Sequence, residues 1–274
     1  MNRIVTRVHA GAQRPFRLLH ISDTHLTLAD DRDCERKRLL AEERARFFPA
    51  AEDILAEAER YARETGAPIV HTGDLIDFVS EKNLDRARRF AQENDLLFAA
   101  GNHEFSLYVG EAFEDEAYRN QSLAKVQAAF SNDIRFTARQ ENGVNLIAVD
   151  NSYYLFDHPQ LDALRREIAR GLPILLFMHT PLYEPALFRE SMERSGFGYV
   201  VAAPEELMRD YSEYRFRQQR ADEVTLETVR LIESEPLIRA IFAGHTHFSA
   251  EGRLACGIPQ YVNGLEDLRL IEVD

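Results

Sequence analysis

The sequence has few of the features typical of secreted, membrane-bound or nucleic-acid-binding proteins. Its 274 residues contain two cysteines, Cys34 and Cys256, which are far apart and match no metal-ligand spacing. A disulfide framework and a thiolate-bound structural zinc are therefore not expected. No apolar run approaches the length of a membrane span, and the first residues do not have the pattern of a signal peptide. We expect a cytoplasmic protein without membrane association.

Positive charge is also scarce. The chain has 33 Lys and Arg against 46 Asp and Glu, a formal net charge of −13. Nonspecific binding to nucleic acid needs a basic surface, so nucleic acid is not an expected partner. A nuclease stays open as an alternative, because Arg36, Lys37, Arg38 and Arg44 could form a basic stripe in three dimensions. A small anionic substrate is compatible with the charge, since local cations can hold it.

Short apolar runs alternate with helical patterns along the chain. Buried strands are predicted at 17–22, 68–72, 96–100, 144–150, 173–178 and 237–242. Helices are predicted at 35–66, with an interruption at Pro49, and at 81–94 and 158–171. This alternation predicts an α/β layered fold, and the lack of repeats and linkers favours a single domain over 1–274. Segment 182–222 is predicted to be an insertion of short helices, which could cap a site or support a homodimer.

Side chains that can bind metal ions follow five of the predicted strands. They are Asp23 and His25; Asp74; Asn102, His103 and Glu104; His179; and His245 and His247. In open α/β sheets, ligands bind outside the carboxyl ends of the strands, so these five loops are expected to converge. Nitrogen and carboxylate ligands suit Mn, Fe or Zn.

The same residues suggest a reaction. Two ions close together need a bridging carboxylate, and Asp74, which follows a glycine, is the natural candidate. Two such ions can clamp a phosphoryl group and lower the pKa of a bridging water. His103, which lies between Asn102 and Glu104, could protonate the leaving oxygen.

Each motif alone also has a structural explanation. Asp23 could form an Asx turn, Asn102 could be a turn residue, and His179 could be a core histidine. The occurrence of all five motifs in order favours the metal site. His9, His20, His71 and His158 are assigned structural roles, and Asp77 either supports the site or is a solvated acid. Most Tyr and Arg residues of 182–222 are expected to serve packing, although some could contact substrate.

The ordered motifs D-x-H, G-D, G-N-H-E, H and G-H-x-H resemble those of the calcineurin-like metallophosphoesterases, from residue 17 to about 265. The resemblance implies a four-layer α/β–β/α sandwich with a dinuclear metal centre, and the long helical insertion would precede the last motif. One ion would be bound by Asp23, His25, Asp74 and His247, and the other by Asp74, Asn102, His179 and His245. His103 would approach the phosphoryl or leaving oxygen, and Glu104 would orient its imidazole. Phe78 stands where purple acid phosphatases carry a tyrosine, so their colour is not expected.

The function expected from this set is a metal-dependent phosphodiesterase or phosphatase acting on a small phosphate ester. Two divalent or mixed-valence ions (Mn, Fe or Zn) would serve as cofactors, and a bridging hydroxide would attack phosphorus in line. The alternative from another class is a scaffold that kept the fold and lost catalysis. Such a protein usually has a broken ligand set or lacks the acid histidine, and neither is the case here.

Overall fold

The computed structural model describes residues 1–274. The strands are β1 (Asn2–Val8), β2 (Phe16–Ile21), β3 (Ile69–His71), β4 (Leu96–Phe98), β5 (Phe136–Glu141), β6 (Val144–Val149), β7 (Ile174–Met178), β8 (Ile238–Ala243), β9 (Ala250–Arg253), β10 (Pro259–Val262) and β11 (Asp267–Val273). The α-helices are α1 (Glu35–Arg44), α2 (Ala51–Thr65), α3 (Glu81–Glu93), α4 (Glu116–Gln127), α5 (His158–Ile168), α6 (Pro185–Ser195), α7 (Glu213–Gln219) and α8 (Glu223–Ser234). None of these helices is both long enough and apolar enough to cross a membrane.

The strands form two mixed sheets. The first has the order β1-β11-β2-β3-β4, and the second has the order β5-β6-β7-β8-β10-β9. Strands β2, β3 and β4 are parallel, and so are β6, β7 and β8. The carboxyl ends of parallel strands lie at the same edge of a sheet. The loops after β2, β3, β4, β7 and β8, which carry the predicted site residues, therefore leave the strands at these edges.

Three apolar clusters separate four layers of structure. Between the sheets, buried side chains such as Val70 and Leu97 from one sheet pack with Phe177 and Phe242 from the other. A second cluster packs the first sheet against α2, α3 and α4, and a third packs the second sheet against α5, α6 and α8. Burial of each large apolar side chain contributes about 1.5–3 kcal/mol. The predicted α/β sandwich is confirmed.

Local sequence sets the helix boundaries. The region predicted as helical over 35–66 is two helices, α1 and α2, on either side of Pro49. Helix α3 begins after Ser80, whose hydroxyl accepts from the backbone N–H of Asn83 at 3.0 Å. Helix α5 begins with a capping box in which the Asp157 side chain and the Gln160 side chain each accept from the other residue's backbone N–H.

Segment 182–222, which was predicted to be an insertion and is called the insertion below, contains α6, α7 and a 3-10 turn at Glu205–Met208. Helix α7 packs on the loop that precedes α4. The Tyr214 ring lies edge-on to Phe113, with ring centroids 5.4 Å apart, and Arg217 lies 4.2 Å from the Phe113 centroid. Gln218 donates to the Glu114 carboxylate at 2.7 Å. The insertion therefore reaches the chain that follows β4, beside the strand ends that carry the site.

Candidate metal centre

The loops at the strand ends have strained backbone at the predicted ligands. Five of these residues have positive φ values: Asp23 at 54°, His25 at 50°, Asp74 at 55°, His245 at 70° and His247 at 62°. The left-handed region costs about 1–2 kcal/mol for a residue other than glycine. Such strain persists only where the surrounding structure over-determines it, and it clusters at functional sites. The positive φ values therefore indicate a functional site independently of the sequence motifs.

Two glycines allow these loops to approach one another. A Cβ on Gly101 would lie 2.6 Å from the backbone N of Asp74 and 2.8 Å from Nδ1 of His179. A Cβ on Gly244 would overlap the side chains of Ser22 and Asp23. Neither glycine has a positive φ, so lack of space is the reason for glycine at both positions.

The first group of donors comprises Asp23, His25, Asp74 and His247. Nε2 of His25 lies 3.0 Å from Nε2 of His247, 3.7 Å from Oδ2 of Asp74 and 3.9 Å from Oδ1 of Asp23. Ligands bonded at roughly 2.1 Å to one ion lie about 3.0 Å apart in octahedral and about 3.4 Å apart in tetrahedral geometry. Oδ1 of Asp23 is buried and has no hydrogen-bond partner. The four residues of this group thus offer donor atoms that all lie within 4.8 Å of one another, close enough to surround one cation.

The second group comprises Asp74, His179 and His245, with Asn102 beside it. Nε2 of His179 lies 3.3 Å from Oδ2 of Asp74 and 3.0 Å from Nδ1 of His245. Oδ1 of Asn102 is buried without a hydrogen-bond partner, as is expected of an oxygen left for a cation. Asp74 belongs to both groups, so its carboxylate lies between two potential ion positions.

Three of the imidazoles use their outer nitrogen to fix the ring. Nδ1 of His179 donates to the Thr72 carbonyl at 2.8 Å, and Nδ1 of His25 lies 3.0 Å from Oδ1 of Asp77. Nε2 of His245 lies 2.7 Å from the Tyr154 hydroxyl. With a proton on each outer nitrogen, the other nitrogen presents its lone pair to the donor groups. Metal-bound histidines in proteins are usually held in this way.

The pKa values divide the site histidines into two kinds: three have a lowered pKa and two have a raised pKa. Burial lowers the pKa of His25 and His245 and lowers that of His247 to about 4, which keeps these rings neutral. Burial also disfavours the charged form of His179 and His103. For His179, the carboxylates of Asp74 and Asp23 together with the Thr72 carbonyl outweigh burial and raise the pKa to about 9. Asp74 and Asp77 together raise that of His103 to about 10. His103 is the candidate group that carries a proton at neutral pH and lines the cavity described below.

The role expected for Glu104 is corrected by the structure. Its buried carboxylate accepts from the backbone N–H groups of Asp74 at 2.7 Å, Leu75 at 2.8 Å and Gly101 at 2.7 Å. It therefore joins the loops after β3 and β4 and does not contact the His103 ring. A carboxylate satisfied by this many backbone donors is fixed in place, so the position next to His103 in sequence was misleading.

Asp77 takes the place expected of Glu104. Nδ1 of His103 donates to the Asp77 carbonyl at 2.7 Å and lies 3.2 Å from Oδ1 of the same residue. The buried Asp77 carboxylate also receives two hydrogen bonds from Arg44, at 2.7 and 2.9 Å. Arg44, His103 and His25 all hold the pKa of Asp77 far below its usual range despite its burial. Asp77 is thus a buried anion that orients two imidazoles, not a solvated acid.

A cavity of about 400 Å³ opens onto these donors. Its walls combine the centre with the insertion: Asp74, Asn102, His103, Glu114, Tyr154, His245 and His247 on one side, and Ser195, Tyr199, Tyr214, Arg215 and Gln218 on the other. Glu114, Tyr154 and Gln218 were not singled out from the sequence. The position of Tyr154 just after β6, at the same sheet edge, was the one signal that could have found it.

Two stacked sheets with nitrogen and oxygen donors gathered at one edge are typical of metal-binding α/β proteins. The model of the calcineurin-like phosphoesterase family matches residues 16–249, and the chain belongs to this family. No curated protein matches the sequence.

Three solved structures show the extent of the likeness. A dimetal phosphatase from Danio rerio is 12% identical, with a TM-score of 0.54 over 91% of this chain and 88% of its own. Phosphopantetheinyl hydrolase from Mycobacterium tuberculosis is 11% identical, with a TM-score of 0.45 over 91% and 89%. 5'-Nucleotidase from Candida albicans is 13% identical, with a TM-score of 0.43 over 91% of this chain and 46% of its own. The likeness to the dimetal phosphatase concerns the fold alone.

Proposed function

We propose that the protein hydrolyses a small phosphate ester with two metal ions as cofactors. The observation that carries the proposal is the position of Asp74, whose carboxylate belongs to both donor groups. A shared carboxylate is what two neighbouring cations require to offset their repulsion. Membership of the calcineurin-like phosphoesterase family supports hydrolysis of a phosphate ester.

The residues present fit two cations. Asp23, His25, Asp74 and His247 would hold one ion, and Asp74, Asn102, His179 and His245 would hold the other. The unpartnered oxygens of Asp23 and Asn102 support this assignment, one from each site. When bound, divalent ions supply positive charge for the phosphoryl oxygens and lower the pKa of water. Manganese, iron and zinc all suit nitrogen and oxygen donors.

His103 would donate the proton that the leaving oxygen needs. Its Nδ1 is occupied by Asp77, so Nε2 is the nitrogen free to face the substrate. Its side chain is 18% exposed and lines the cavity, while the predicted ligands Asp23, His25 and His179 are fully buried. In the metal-free chain, Asp74 and Asp77 outweigh burial and raise the pKa of this ring to about 10. A positioned general acid of this kind contributes about 10²–10⁴-fold to the rate.

The cavity favours a small-molecule ester over nucleic acid. About 400 Å³ lies at the lower end of the sizes usual for small-molecule sites. Two cations of the basic stripe that a nuclease would use are already paired with carboxylates. Arg44 is bound to Asp77, and Arg36 pairs with Glu111 at 3.5 Å. Arg38 donates to the Asp33 carbonyl. Arg215, the one guanidinium that lines the cavity, has no carboxylate partner and is available for an anion.

The test is metal analysis of the purified protein together with hydrolysis of bis(p-nitrophenyl) phosphate and p-nitrophenyl phosphate in added manganese. We expect two ions per chain and turnover of at least one ester, and the ratio of the two rates separates diesterase from monoesterase. Asp74→Asn should lose both turnover and an ion, whereas Asp53→Asn, an exposed acid on α2, should lose neither. Two ions without turnover of any phosphate ester would favour the scaffold. Absence of bound metal after loading would refute the proposal.

A further inference from the structure

The turn that follows α1 places an aromatic ring against a predicted metal ligand. Segment 44–48 begins at the last residue of α1, and the backbone N–H of Phe48 donates to the Arg44 carbonyl at 3.2 Å. The Phe48 ring stacks on the imidazole of His25, with centroids 4.1 Å apart and an angle of 11° between the rings. It lies edge-on to the His247 ring, at 5.9 Å and 85°. Phe48 therefore packs on both histidines of the first donor group.

The same segment holds His25 from a second direction. Nε and Nη2 of Arg44 donate to the two carboxylate oxygens of Asp77, at 2.7 and 2.9 Å. A bidentate pair of this kind fixes the orientation of a carboxylate as well as its position. Oδ1 of Asp77 lies 3.0 Å from Nδ1 of His25. The guanidinium carbon of Arg44 also lies 5.1 Å from the Phe48 centroid, so the two side chains of segment 44–48 support each other.

Together these contacts fix the imidazole of His25. Stacking on Phe48 sets the plane of the ring, and the hydrogen bond to Asp77 sets its rotation within that plane. Nε2 of His25 then faces the donor group, 3.0 Å from Nε2 of His247. The backbone of His25 is strained, with a φ of 50°, and such strain persists only where the surroundings over-determine it. Segment 44–48 supplies part of those surroundings.

The contacts of segment 44–48 reach one donor group. The imidazoles that pack on Phe48 are those of His25 and His247, whereas His179 and His245 pack on each other. The side chain of Arg44 hydrogen-bonds to Asp77 alone. We propose that Arg44 and Phe48 are positioning residues for the first ion, so that segment 44–48 sets the affinity of that site with little effect on the second. This inference rests on the proposed two-ion function.

The experiment is a manganese titration of chelator-treated protein by calorimetry. Phe48→Leu keeps an apolar side chain but removes the flat ring, and Arg44→Met keeps the stem but removes the guanidinium. Loss of a group that orients a metal ligand typically costs 10–100-fold in affinity. We expect that loss for one of the two ions and less than a twofold change for the other. Phe47→Leu is the matched control, because this neighbouring ring is 63% exposed and packs on no imidazole, so both ions should bind as in the wild type.

Two backgrounds identify which ion is affected. His179→Ala removes a ligand of the second site, so the remaining strong site should lose affinity when Phe48→Leu is added. His247→Ala removes a ligand of the first site, so there the same substitution should change the remaining strong site less than twofold.

A milder variant keeps the test available if Phe48→Leu or Arg44→Met does not fold. Arg44→Lys retains the charge beside Asp77 but lacks the planar fork, so it should show the loss for the first ion in reduced form. Equal weakening of both ions, or two unchanged affinities, would overturn the inference and leave the proposed function intact. Binding of fewer than two ions by the wild type would instead refute the proposed function itself.

Discussion

Nδ1 of His103 lies 2.7 Å from the carbonyl oxygen of Asp77 and 3.2 Å from its carboxylate. One residue thus fixes the ring and supplies the negative charge that favours its protonated form. The same carboxylate contacts His25 and Arg44, so its own position is over-determined. The candidate acid and one candidate ligand are therefore held by a common anion.

The first prediction separates chemistry from metal binding. In His103→Ala, kcat should fall by about 10²–10⁴-fold, because the leaving oxygen loses its proton donor. Metal content should stay at two ions per chain, because no predicted ligand hydrogen-bonds to the His103 ring. Elemental analysis beside steady-state kinetics checks both. A variant that loses an ion along with activity would show that His103 supports the centre and is not the acid.

The second prediction concerns pH. In the metal-free chain, burial lowers the pKa of His103, and Asp74 and Asp77 outweigh burial and raise it to about 10. His103 acts as an acid only below its pKa in the metal-loaded protein, and cations bound to Asp74 would make that pKa lower than in the metal-free chain. Asp77→Asn removes one of the two charges, so the pKa of His103 should fall and the alkaline limb of the kcat profile should move to lower pH. Profiles of the two proteins must be recorded below the melting temperature of the variant, because Arg44 loses its charged partner. An alkaline limb that stays in place would mean that another group controls it.

The third prediction concerns metal binding and protons. In the metal-free chain, burial disfavours charged His179, but Asp74, Asp23 and the Thr72 carbonyl together outweigh burial and raise its pKa to about 9. A ligand must be neutral, so below pH 9 the ion has to displace this proton, and affinity should rise about tenfold per pH unit between pH 7 and 9. Calorimetry at pH 7.5 in buffers of different ionisation enthalpy should show release of a proton. Affinity that does not change with pH would contradict the shifted pKa.

The fourth prediction tests the close approach of the loops. Gly244→Ala places a methyl group against Ser22 and Asp23, so we expect a loss of about 1–3 kcal/mol in the free energy of unfolding and weaker metal binding. Gly257→Ala is the control, because that glycine has a positive φ but nothing within 4 Å of its Cβ position. It should lose some stability through strain and keep its metal. Chemical denaturation and elemental analysis distinguish the two. Normal metal content in Gly244→Ala would show that the loops can separate without harm.

Much of the fold could be predicted from buried, continuous apolar runs. The strand predicted at 173–178 is Ile174–Met178, and the one predicted at 144–150 is Val144–Val149. Among the strands outside the predicted ranges, β1 is mostly exposed, and β5 is polar and only partly buried, so neither forms a continuous apolar run. β1 pairs along its whole length with β11, at the other end of the chain. Such a pairing depends on tertiary contacts and leaves no local signal.

The site shows the same division between local and non-local information. The predicted ligands could be found because each follows a strand, and their convergence comes from parallel strand order. The roles of Glu104, Asp77 and Tyr154 could not be assigned, because each depends on which atoms the folded loops bring within 3 Å. The family resemblance implied that Glu104 orients His103, but the hydrogen bonds show Asp77 as the partner of that ring. Supporting residues are thus harder to predict than ligands.

The last prediction concerns substrate binding by the insertion. Arg215 lines the cavity beside Tyr199 and Tyr214, and its only side-chain hydrogen bond is to Gln218 at 2.7 Å. A hydrogen bond to a charged group contributes about 1.5–3 kcal/mol, so loss of the guanidinium from an anion site should raise KM roughly 10- to 100-fold. Because Arg215 belongs to the insertion and not to the donor groups, kcat should change far less than KM.

Arg217→Ala provides the matched control on the same helix. Its guanidinium lies over Phe113 and does not line the cavity, so KM should stay at the wild-type value. Arg215→Ala and Arg217→Ala each remove one positive charge. A difference in KM between them therefore cannot come from long-range electrostatics. Arg215→Lys should recover part of the affinity, because a point charge replaces a planar fork of donors. A KM unchanged in Arg215→Ala would mean that the anion is held by the metal centre alone, and that the insertion contributes shape and support but no charge.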